Sequence, residues 1–201
     1  TLILSECRVA GDFTGDVVNG ISEIRQKGIV TLKDCAKFHL HITRDDIEEK
    51  KIDEIRLNGF KSLDGDFTGR IIKLISEIRA NNAIVELDAG TFQFSDKDDD
   101  MKDLEKLPLM DISGIRSLEG ELTTGLIRAI SRIRKNNGQV NLDGCGDFTL
   151  PENLTALVNE SEDYDIDLSG IKCLGGRLTG SAIKIITDVR RDKGVFNLSG
   201  C

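Results

Sequence analysis

The sequence predicts an α/β repeat solenoid, with short parallel β-strands stacked side by side and helices on the outside. Two observations predict this fold class: an internal repeat of about 55 residues, and an apolar–polar–apolar run that occurs eight times. The composition agrees, because 39% hydrophobic and 31% charged residues among 201 are typical of a folded chain. We predict one domain over residues 1–201, as part of a longer array.

The repeat is carried by two motifs that occur four times in the same order. The first combines Gly, a charged residue, an apolar residue and Thr, and its copies begin at Gly11, Gly65, Gly120 and Gly176. The second is Ser-Glu-Ile-Arg or a close variant, at residues 22–25, 76–79, 131–134 and 187–190. A unit of this size cannot bury its own apolar face, so neighbouring units must stack against one another.

One amphipathic helix is predicted in each copy, after the first motif. In the second copy, Ile71, Ile72, Ile75 and Ile78 are spaced i, i+1, i+4, i+7, which places them on one face of a helix. A threonine precedes each helix, where a side-chain oxygen accepts a free backbone amide: Thr14, Thr68, Thr123 and Thr179. Asparagine pairs or Lys-Gly follow the predicted helices and indicate where they end.

Eight short runs alternate apolar, polar and apolar residues, which predicts strands with one buried face. They are residues 2–4, 30–32, 55–57, 85–87, 110–112, 140–142, 166–168 and 196–198. Two such strands fall in every 55-residue unit, one preceded by a long helix and one by a weaker helix, as at residues 101–107 or 151–158. Strands separated by helices pair in parallel. With 4% aromatic residues and no Trp, we expect an aliphatic core.

The cysteines indicate a reducing compartment. Their number is odd and the chain is not small, whereas secreted disulfide scaffolds are short with even counts. We therefore expect reduced, buried thiols and a cytoplasmic location for a chain that holds Cys7, Cys35, Cys145, Cys173 and Cys201. No apolar run approaches the length of a membrane span, so we expect no membrane partner.

Four strand runs extend into the pattern L-x-L-x-x-N/C, at residues 2–7, 30–35, 140–145 and 196–201. In this pattern the chain resembles the leucine-rich repeat family, closest to its alternating, ribonuclease-inhibitor-like and cysteine-containing subtypes. The resemblance implies a horseshoe with strands on the concave face and helices on the convex face, and buried turn thiols at Cys145 and Cys201. The chain is divergent, because Phe60, Ile115 and Ile171 occupy the Asn or Cys position.

A second resemblance covers the last unit. Residues 168–171, the helix that follows and residues 194–196 are similar to the STAS domain of anti-sigma-factor antagonists. That domain would not give a regular 55-residue repeat along the whole chain. Tandem STAS-like domains are therefore the less favoured interpretation.

On such a horseshoe, side chains that flank the last apolar residue of each strand point to the concave surface. From Glu86 onward this set is acidic and amide-rich, which favours a binding face for a basic partner. The alternative is a solvated sheet face that only maintains solubility. The predicted binding residues are Arg56, Asn58, Glu86, Asp88, Asp111, Ser113, Asn141, Asp143, Asp167, Ser169, Asn197 and Ser199.

An arginine recurs near the end of every long helix, at positions 25, 79, 134 and 190. We predict that these cations interact with the helix dipole and the last helical carbonyls. A stacked anion-binding row is the alternative.

No site for catalysis, metal or cofactor is predicted. Asp96, Asp98 and Asp100 have the spacing of a calcium loop, but Met101 and Leu107 stand where that loop needs Gly and Glu. His39 and His41 alternate on one short run and form only a weak metal signal. Nucleophile and phosphate-loop motifs do not occur, so we do not expect an enzyme.

These observations favour a protein-interaction or scaffold module. A regulatory or targeting repeat domain of a larger enzyme or effector is the alternative. The net charge of −8 argues against a nucleic-acid partner. We expect a basic protein partner, and end-to-end contact through uncapped solenoid ends.

Overall fold

The computed structural model shows an α/β chain with several parallel sheets and five α-helices within the described residues. Five longer segments and several short ones are described: residues 1–5, 10–33, 37–88, 90–95, 101–152, 154, 157, 165–176, 179–191 and 194–201. The aspartates predicted as a weak calcium loop, Asp96 to Asp100, lie outside them.

Fifteen strands occur in the described part of the chain, and all of the pairings between them there are parallel. In chain order they are β1 (Leu2–Ser5), β2 (Gly11–Phe13), β3 (Val30–Lys33), β4 (Phe38–Leu40), β5 (Ile55–Arg56), β6 (Leu63–Phe67), β7 (Val85–Glu86), β8 (Thr91–Phe94), β9 (Leu109–Asp111), β10 (Gly120–Glu121), β11 (Gln139–Asn141), β12 (Phe148–Thr149), β13 (Ile166–Asp167), β14 (Leu174–Gly175) and β15 (Phe196–Asn197).

The helices are α1 (Gly15–Lys27), α2 (Arg44–Lys50), α3 (Gly69–Ala80), α4 (Thr124–Lys135) and α5 (Gly180–Arg191). The long ones start where the sequence predicts. The hydroxyls of Thr68, Thr123 and Thr179 each accept a backbone N–H three residues on, at 3.2 to 3.3 Å. Thr14 is the N-cap of α1 without a side-chain hydrogen bond. Just after the ends of α3 and α4, Asn82 and Asn137 have a positive φ, as expected of asparagine after a helix.

Helix α2 is a weaker helix of the kind predicted before every second strand, although no bounds were predicted for it. It begins with a capping box, in which the Thr43 hydroxyl accepts the N–H of Asp46 and the Asp46 carboxylate accepts the N–H of Thr43. The weaker helix predicted at residues 101–107 is reduced to a short 3-10 helix, Lys102–Leu104. Half of residues 151–158 lie outside the described part.

The apolar–polar–apolar runs do form strands, but these pair two by two rather than in one continuous sheet. The pairs are β1–β3, β5–β7, β9–β11 and β13–β15. A long helix contacts the first strand of the following pair, as α1 does with β5, α3 with β9 and α4 with β13. The helix thus occupies the place where a continuous sheet would have its next strand.

A second set of strands, which the sequence interpretation missed, runs alongside the first. The strands β2-β4-β6-β8 form one parallel sheet and β10-β12-β14 another, and a parallel bridge between Phe92 and Leu118 connects the two. These strands include the Gly-Asp-Phe residues of the first repeat motif. The sequence pattern predicts only a helix start at that motif, so the strand is a correction.

Phenylalanine contributes more to the core than the composition suggested. Phe60, Phe67, Phe92 and Phe148 are among the largest fully buried side chains. The ring centroids of Phe67 and Phe92 lie 5.2 Å apart, as do those of Phe94 and Phe148. Isoleucine and leucine fill the remainder, so the core is aliphatic with phenylalanine along the inner side of the second set of strands.

On three of the four long helices, a buried serine accepts a backbone N–H from the strand edge that the helix covers. The Ser76 hydroxyl donates to the Ile72 carbonyl at 2.8 Å and accepts the N–H of Asp111 in β9 at 3.0 Å. Ser131 does the same with Ile127 and with Asp167 in β13, at the same two distances. A buried strand N–H left without an acceptor is destabilising, so the serine permits the sheet to stop at that edge.

Removing one serine hydroxyl tests this role. We expect Ser131→Ala to lower the free energy of unfolding by about 1–3 kcal/mol, because the N–H of Asp167 loses its acceptor. Urea denaturation measures the change. Thr187→Ala is the matched control, since Thr187 occupies the equivalent position on α5 but is exposed. Equal stability losses in the two variants would contradict the proposed role.

Candidate partner-binding surface

The twelve residues predicted as a binding face lie at or just beyond the carboxyl ends of the paired strands. Glu86, Asp111 and Asp167 are half-buried, whereas Asp88 and Asp143 are exposed. The register aligns Arg56 with Glu86, Asp111 with Asn141 and Asp167 with Asn197 on paired strands. The structure thus brings the predicted residues together in pairs.

Four of these residues form the turns that end their own strands. Asp111 accepts the N–H of Ser113 at 3.0 Å, and Asn141 accepts the N–H of Asp143 at 3.1 Å. Asp167 and Asn197 make the same bond two residues ahead, at 3.0 and 3.1 Å. A bond from an Asp or Asn side chain to the backbone two residues on is an Asx turn, which either residue type forms. The Asx turn therefore explains why each of the four residues has a side-chain oxygen. It does not explain why two of them are aspartates and not asparagines.

Arginine on the preceding helix explains the charge. Arg79 on α3 donates to the Asp111 carboxylate at 2.9 Å and to the Ser113 carbonyl at 2.5 Å. Arg134 on α4 donates to the Asp167 carbonyl at 3.0 Å and to its carboxylate at 3.3 Å. In the pairs β9–β11 and β13–β15, aspartate occurs on the strand that faces an arginine, and asparagine occurs on the second strand.

The first arginine of the row uses carbonyls in place of a carboxylate. Arg25 on α1 donates to the carbonyl of Val30 in β3 at 3.1 Å and to that of Arg56 in β5 at 3.0 Å. Its guanidinium lies over the Phe60 ring, 4.3 Å from the centroid. Burial lowers the pKa of Arg25, and the charge of Glu86 opposes that effect. Arg25 bridges the gap between two strand pairs.

We call each such group a strand clasp: a helix serine and the arginine three residues later, bonded to the first strand of the next pair. The strand clasps are Ser22 and Arg25 on β5, Ser76 and Arg79 on β9, and Ser131 and Arg134 on β13. Arg25, Arg79 and Arg134 lie in the last turn of their helices, as predicted, but the prediction that they bond the last helical carbonyls is corrected. They bond the next strand, and the anions they bind include the chain's own aspartates.

The clasp sets the charge state of its aspartate. Burial raises the pKa of the Asp167 carboxyl, but hydrogen bonds from Ser169 and the charge of Arg134 outweigh it, so that the pKa lies below its ordinary value of 3.8. The carboxylate is ionised at neutral pH and its charge is compensated inside the protein.

Other acidic residues at the strand ends remain available to solvent. Asp88 and Asp143 are exposed, and their backbone N–H groups are held by Asn58 and Asn141 at 2.7 and 3.1 Å. Lys172 approaches the Asp143 carboxylate at 3.3 Å with its own side chain 76% exposed. An ion pair this exposed contributes little, so it leaves Asp143 able to exchange partners.

Thiols and one hydroxyl form a further series of bonds between successive turns. Cys145, Cys173 and Cys201 donate to the carbonyls of Ile112, Leu142 and Leu168 at 3.2, 3.4 and 3.0 Å. Ser117 donates to Leu87 in the same way, at 3.3 Å. Each of these side chains donates to the backbone carbonyl of the last residue in an earlier apolar–polar–apolar run. The expectation of buried thiols is corrected, because Cys201 is exposed and Cys145 and Cys173 are half-buried, while Cys7 and Cys35 lie outside the described residues. Partial burial still raises the pKa of the Cys145 thiol to about 12, and it raises that of Cys173 as well.

The weak histidine signal corresponds to a hydrogen-bonded pair and not to a metal site. His39 in β4 lies beside Asp64 in β6, with Nδ1 and Oδ1 2.9 Å apart, and His41 is exposed. Within the described residues, no three His, Cys, Asp or Glu side chains are grouped so that they could hold a metal ion. None of the helices in that part of the chain combines the length and apolarity needed to cross a bilayer.

A cleft lies on the helical side, between α2 and α3. Its lining alternates in charge, with Arg44 beside Glu48 at 2.8 Å and Lys73 beside Glu77 at 4.0 Å. The cleft is formed by helix residues and Asp103, and none of the predicted strand-end residues lines it. The strand ends therefore offer a surface rather than this pocket.

Comparisons of the chain with protein-family models, with curated proteins and with solved structures found no match. The resemblance to leucine-rich repeats thus depends on the strand motifs alone.

Neutralising Asp167 tests the charge of the clasp. Asp167→Asn keeps an oxygen for the Asx turn, as at Asn141, but removes the partner of Arg134. We expect the variant to be less stable at pH 7, and we expect the difference from the wild type to shrink as the pH falls below 3.8 through the lowered pKa. Urea denaturation between pH 2 and 7 measures it, with Asn197→Asp as the unclasped control. A difference that is constant over this range would contradict the assignment.

Replacing Cys145 tests the thiol series. Cys145→Ser retains a donor for the Ile112 carbonyl, whereas Cys145→Val does not, so only the valine variant should lose about 1 kcal/mol of stability. The wild-type free energy of unfolding should also fall relative to Cys145→Ser above pH 9.0, because the unfolded thiol ionises there and the folded one only near 12. Identical alkaline profiles would contradict a buried, protonated thiol.

Proposed function

We propose that this chain is a leucine-rich-repeat-like solenoid that binds a basic protein partner at its strand ends, as a scaffold module without catalytic activity. The proposal is based on a difference between two groups of acidic residues at the strand ends. Asp111 and Asp167 are engaged by arginines, whereas Asp88 and Asp143 are exposed on the second strands of their pairs. In the described part of the chain, the second pair of carboxylates makes only the exposed ion pair between Asp143 and Lys172, which contributes little.

Regular stacking supports the solenoid arrangement. Each strand clasp joins a helix to a strand 34 to 36 residues later, and each thiol or Ser117 joins a turn to one 30 to 33 residues earlier. Bonds that repeat between neighbours hold the strand ends in a fixed order, as expected of a repeat protein. A fixed surface binds with less loss of conformational entropy than a mobile one.

Charge supports the class of partner. The chain has a net charge of −8, and the exposed carboxylates at the strand ends add a local field of the same sign. A basic partner would be attracted to this face, and the attraction would weaken with added salt. The free thiols of Cys145, Cys173 and Cys201 support a location in a reducing compartment such as the cytoplasm.

Charge reversal at the two exposed carboxylates tests the function. Tagged wild-type chain and the double variant Asp88→Lys, Asp143→Lys are used to capture proteins from lysate at low salt, and the bound proteins are quantified by mass spectrometry. We expect basic partners to be at least tenfold depleted with the double variant, because attraction becomes repulsion. Glu23→Lys, an exposed reversal on α1, is the matched control. The same captured set from all three chains would rule out the proposed face.

A further inference from the structure

The residue just before the second strand run of each pair is apolar in three copies and polar in one. Ile29, Ile84 and Val195 occupy this position, and Gln139 occupies it in the third copy. Ile29 is 61% exposed and Ile84 is 40% exposed, although the strand that follows each of them has a paired strand on one side and contacts a long helix. The fold does not require an apolar side chain here, because Gln139 is exposed at the same position of a similar strand pair.

Ile84 shares one face of its strand with Glu86 and Asp88. The backbone carbonyls of these three residues accept N–H groups from the β5 segment at 2.9, 2.7 and 3.2 Å, so the parallel ladder extends past both ends of β7. Side chains two residues apart on a strand point to the same side, and Leu87 between them is buried. With a rise of about 3.3 Å per residue, Ile84 and Asp88 lie about 13 Å apart along the strand.

The next strand pair has the same order, with an apolar residue at the amino end and an acidic residue at the carboxyl end. Leu109 is the first residue of β9 and is half-buried, and Asp143 is exposed just after β11. We call Ile84 and Leu109 the apolar row, and Asp88 and Asp143 the acidic row. The two rows run across the strands on the same face.

The surface between the two rows carries charges that are compensated within the protein. Glu86 interacts with the charge of Arg25, and the Asp111 carboxylate pairs with Arg79 at 2.9 Å. Asn141, the corresponding residue of β11, is neutral. A ligand that covers this face therefore meets apolar surface along one edge and exposed carboxylates along the other.

We propose that the strand ends bind an amphipathic α-helix of the partner protein, which lies across the strands. Its apolar stripe covers Ile84 and Leu109, and lysines or arginines on its other flank bind Asp88 and Asp143. An α-helix with its side chains is about 10–12 Å across, which is close to the separation of the two rows. A basic segment without an apolar stripe would leave Ile84 exposed. The inference rests on the function proposed above and names the class of its partner.

The test titrates two labelled peptides with the full chain and follows fluorescence anisotropy. The first peptide is a helix of about five turns, built from Leu, Lys and Ala, with its leucines on one flank and its lysines on the other. The second has the same composition in an order that distributes both residue types over all faces. We expect the first peptide to bind at least fivefold more tightly than the second.

Replacing Ile84 separates the apolar row from the acidic row. Ile84→Gln introduces the residue that the third copy uses at this position, and we expect it to weaken binding of the first peptide about fivefold, the effect of roughly one buried methylene. This loss should persist at high salt, whereas the loss caused by Asp88→Lys, Asp143→Lys should shrink as salt screens the charges.

Two further variants exclude a general effect on folding. Gln139→Ile extends the apolar row and should tighten binding of the first peptide by a similar factor. Val17→Gln replaces an apolar residue of α1 that is 37% exposed and lies away from the strand ends, so this matched control should bind like the wild type.

The outcomes distinguish this inference from the function on which it rests. Equal binding of the two peptides, or an Ile84→Gln variant that binds like the wild type, would overturn the amphipathic helix; the acidic face would still stand if the double charge reversal abolished binding. Binding that survives the double charge reversal would refute both. If the wild type binds neither peptide, the inference is wrong, and the capture experiment above decides the proposed function separately.

Discussion

The strand clasp is the interaction on which the rest of the structure depends. A two-stranded sheet exposes backbone N–H and C=O groups along each edge, and these groups need partners when other elements bury them. Ser76 and Arg79 supply an acceptor and a set of donors to the edge of β9 from a single helix face. The helix can therefore end one sheet and begin the packing of the next, which is why the strands occur in pairs.

The same interaction decides which surface charges are available for function. A guanidinium held between strand pairs needs partners for its charge: Asp111 and Asp167 provide a carboxylate to Arg79 and Arg134, whereas Arg25 has two carbonyls and the Phe60 ring. Their acidity is thus a requirement of the fold. Asp88 and Asp143 follow strands that no arginine faces, so their charge needs another explanation, and partner binding provides one. Residues that look alike in the sequence differ in role because they differ in their position relative to the helices.

The sequence predicts the local elements well and their assembly only in part. Periods of 3.6 and 2 are local properties, so the helix with Ile71 to Ile78 and the strand runs lie where predicted. Strand pairing is not local: β3 and β5 have similar patterns, but α1 separates them. Strands such as β2 were missed because β2 has only three residues and one buried side chain. A segment that short shows no alternation of apolar and polar residues from which a strand could be predicted. The clasp was missed because Arg79 and Asp111 are 32 residues apart, although each Ser-x-x-Arg precedes its strand at a nearly constant distance.

The short reach of the clasp has a consequence for how such a chain changes length over evolution. The two halves of each clasp, helix motif and strand, lie within one repeat length of each other. A duplication of any 55-residue stretch therefore carries a complete donor and a complete acceptor, wherever its boundaries fall. The inserted copy is recognised by its neighbours without compensating substitutions elsewhere. Insertions of other lengths would separate the halves, so genes encoding this architecture should grow and shrink in whole units.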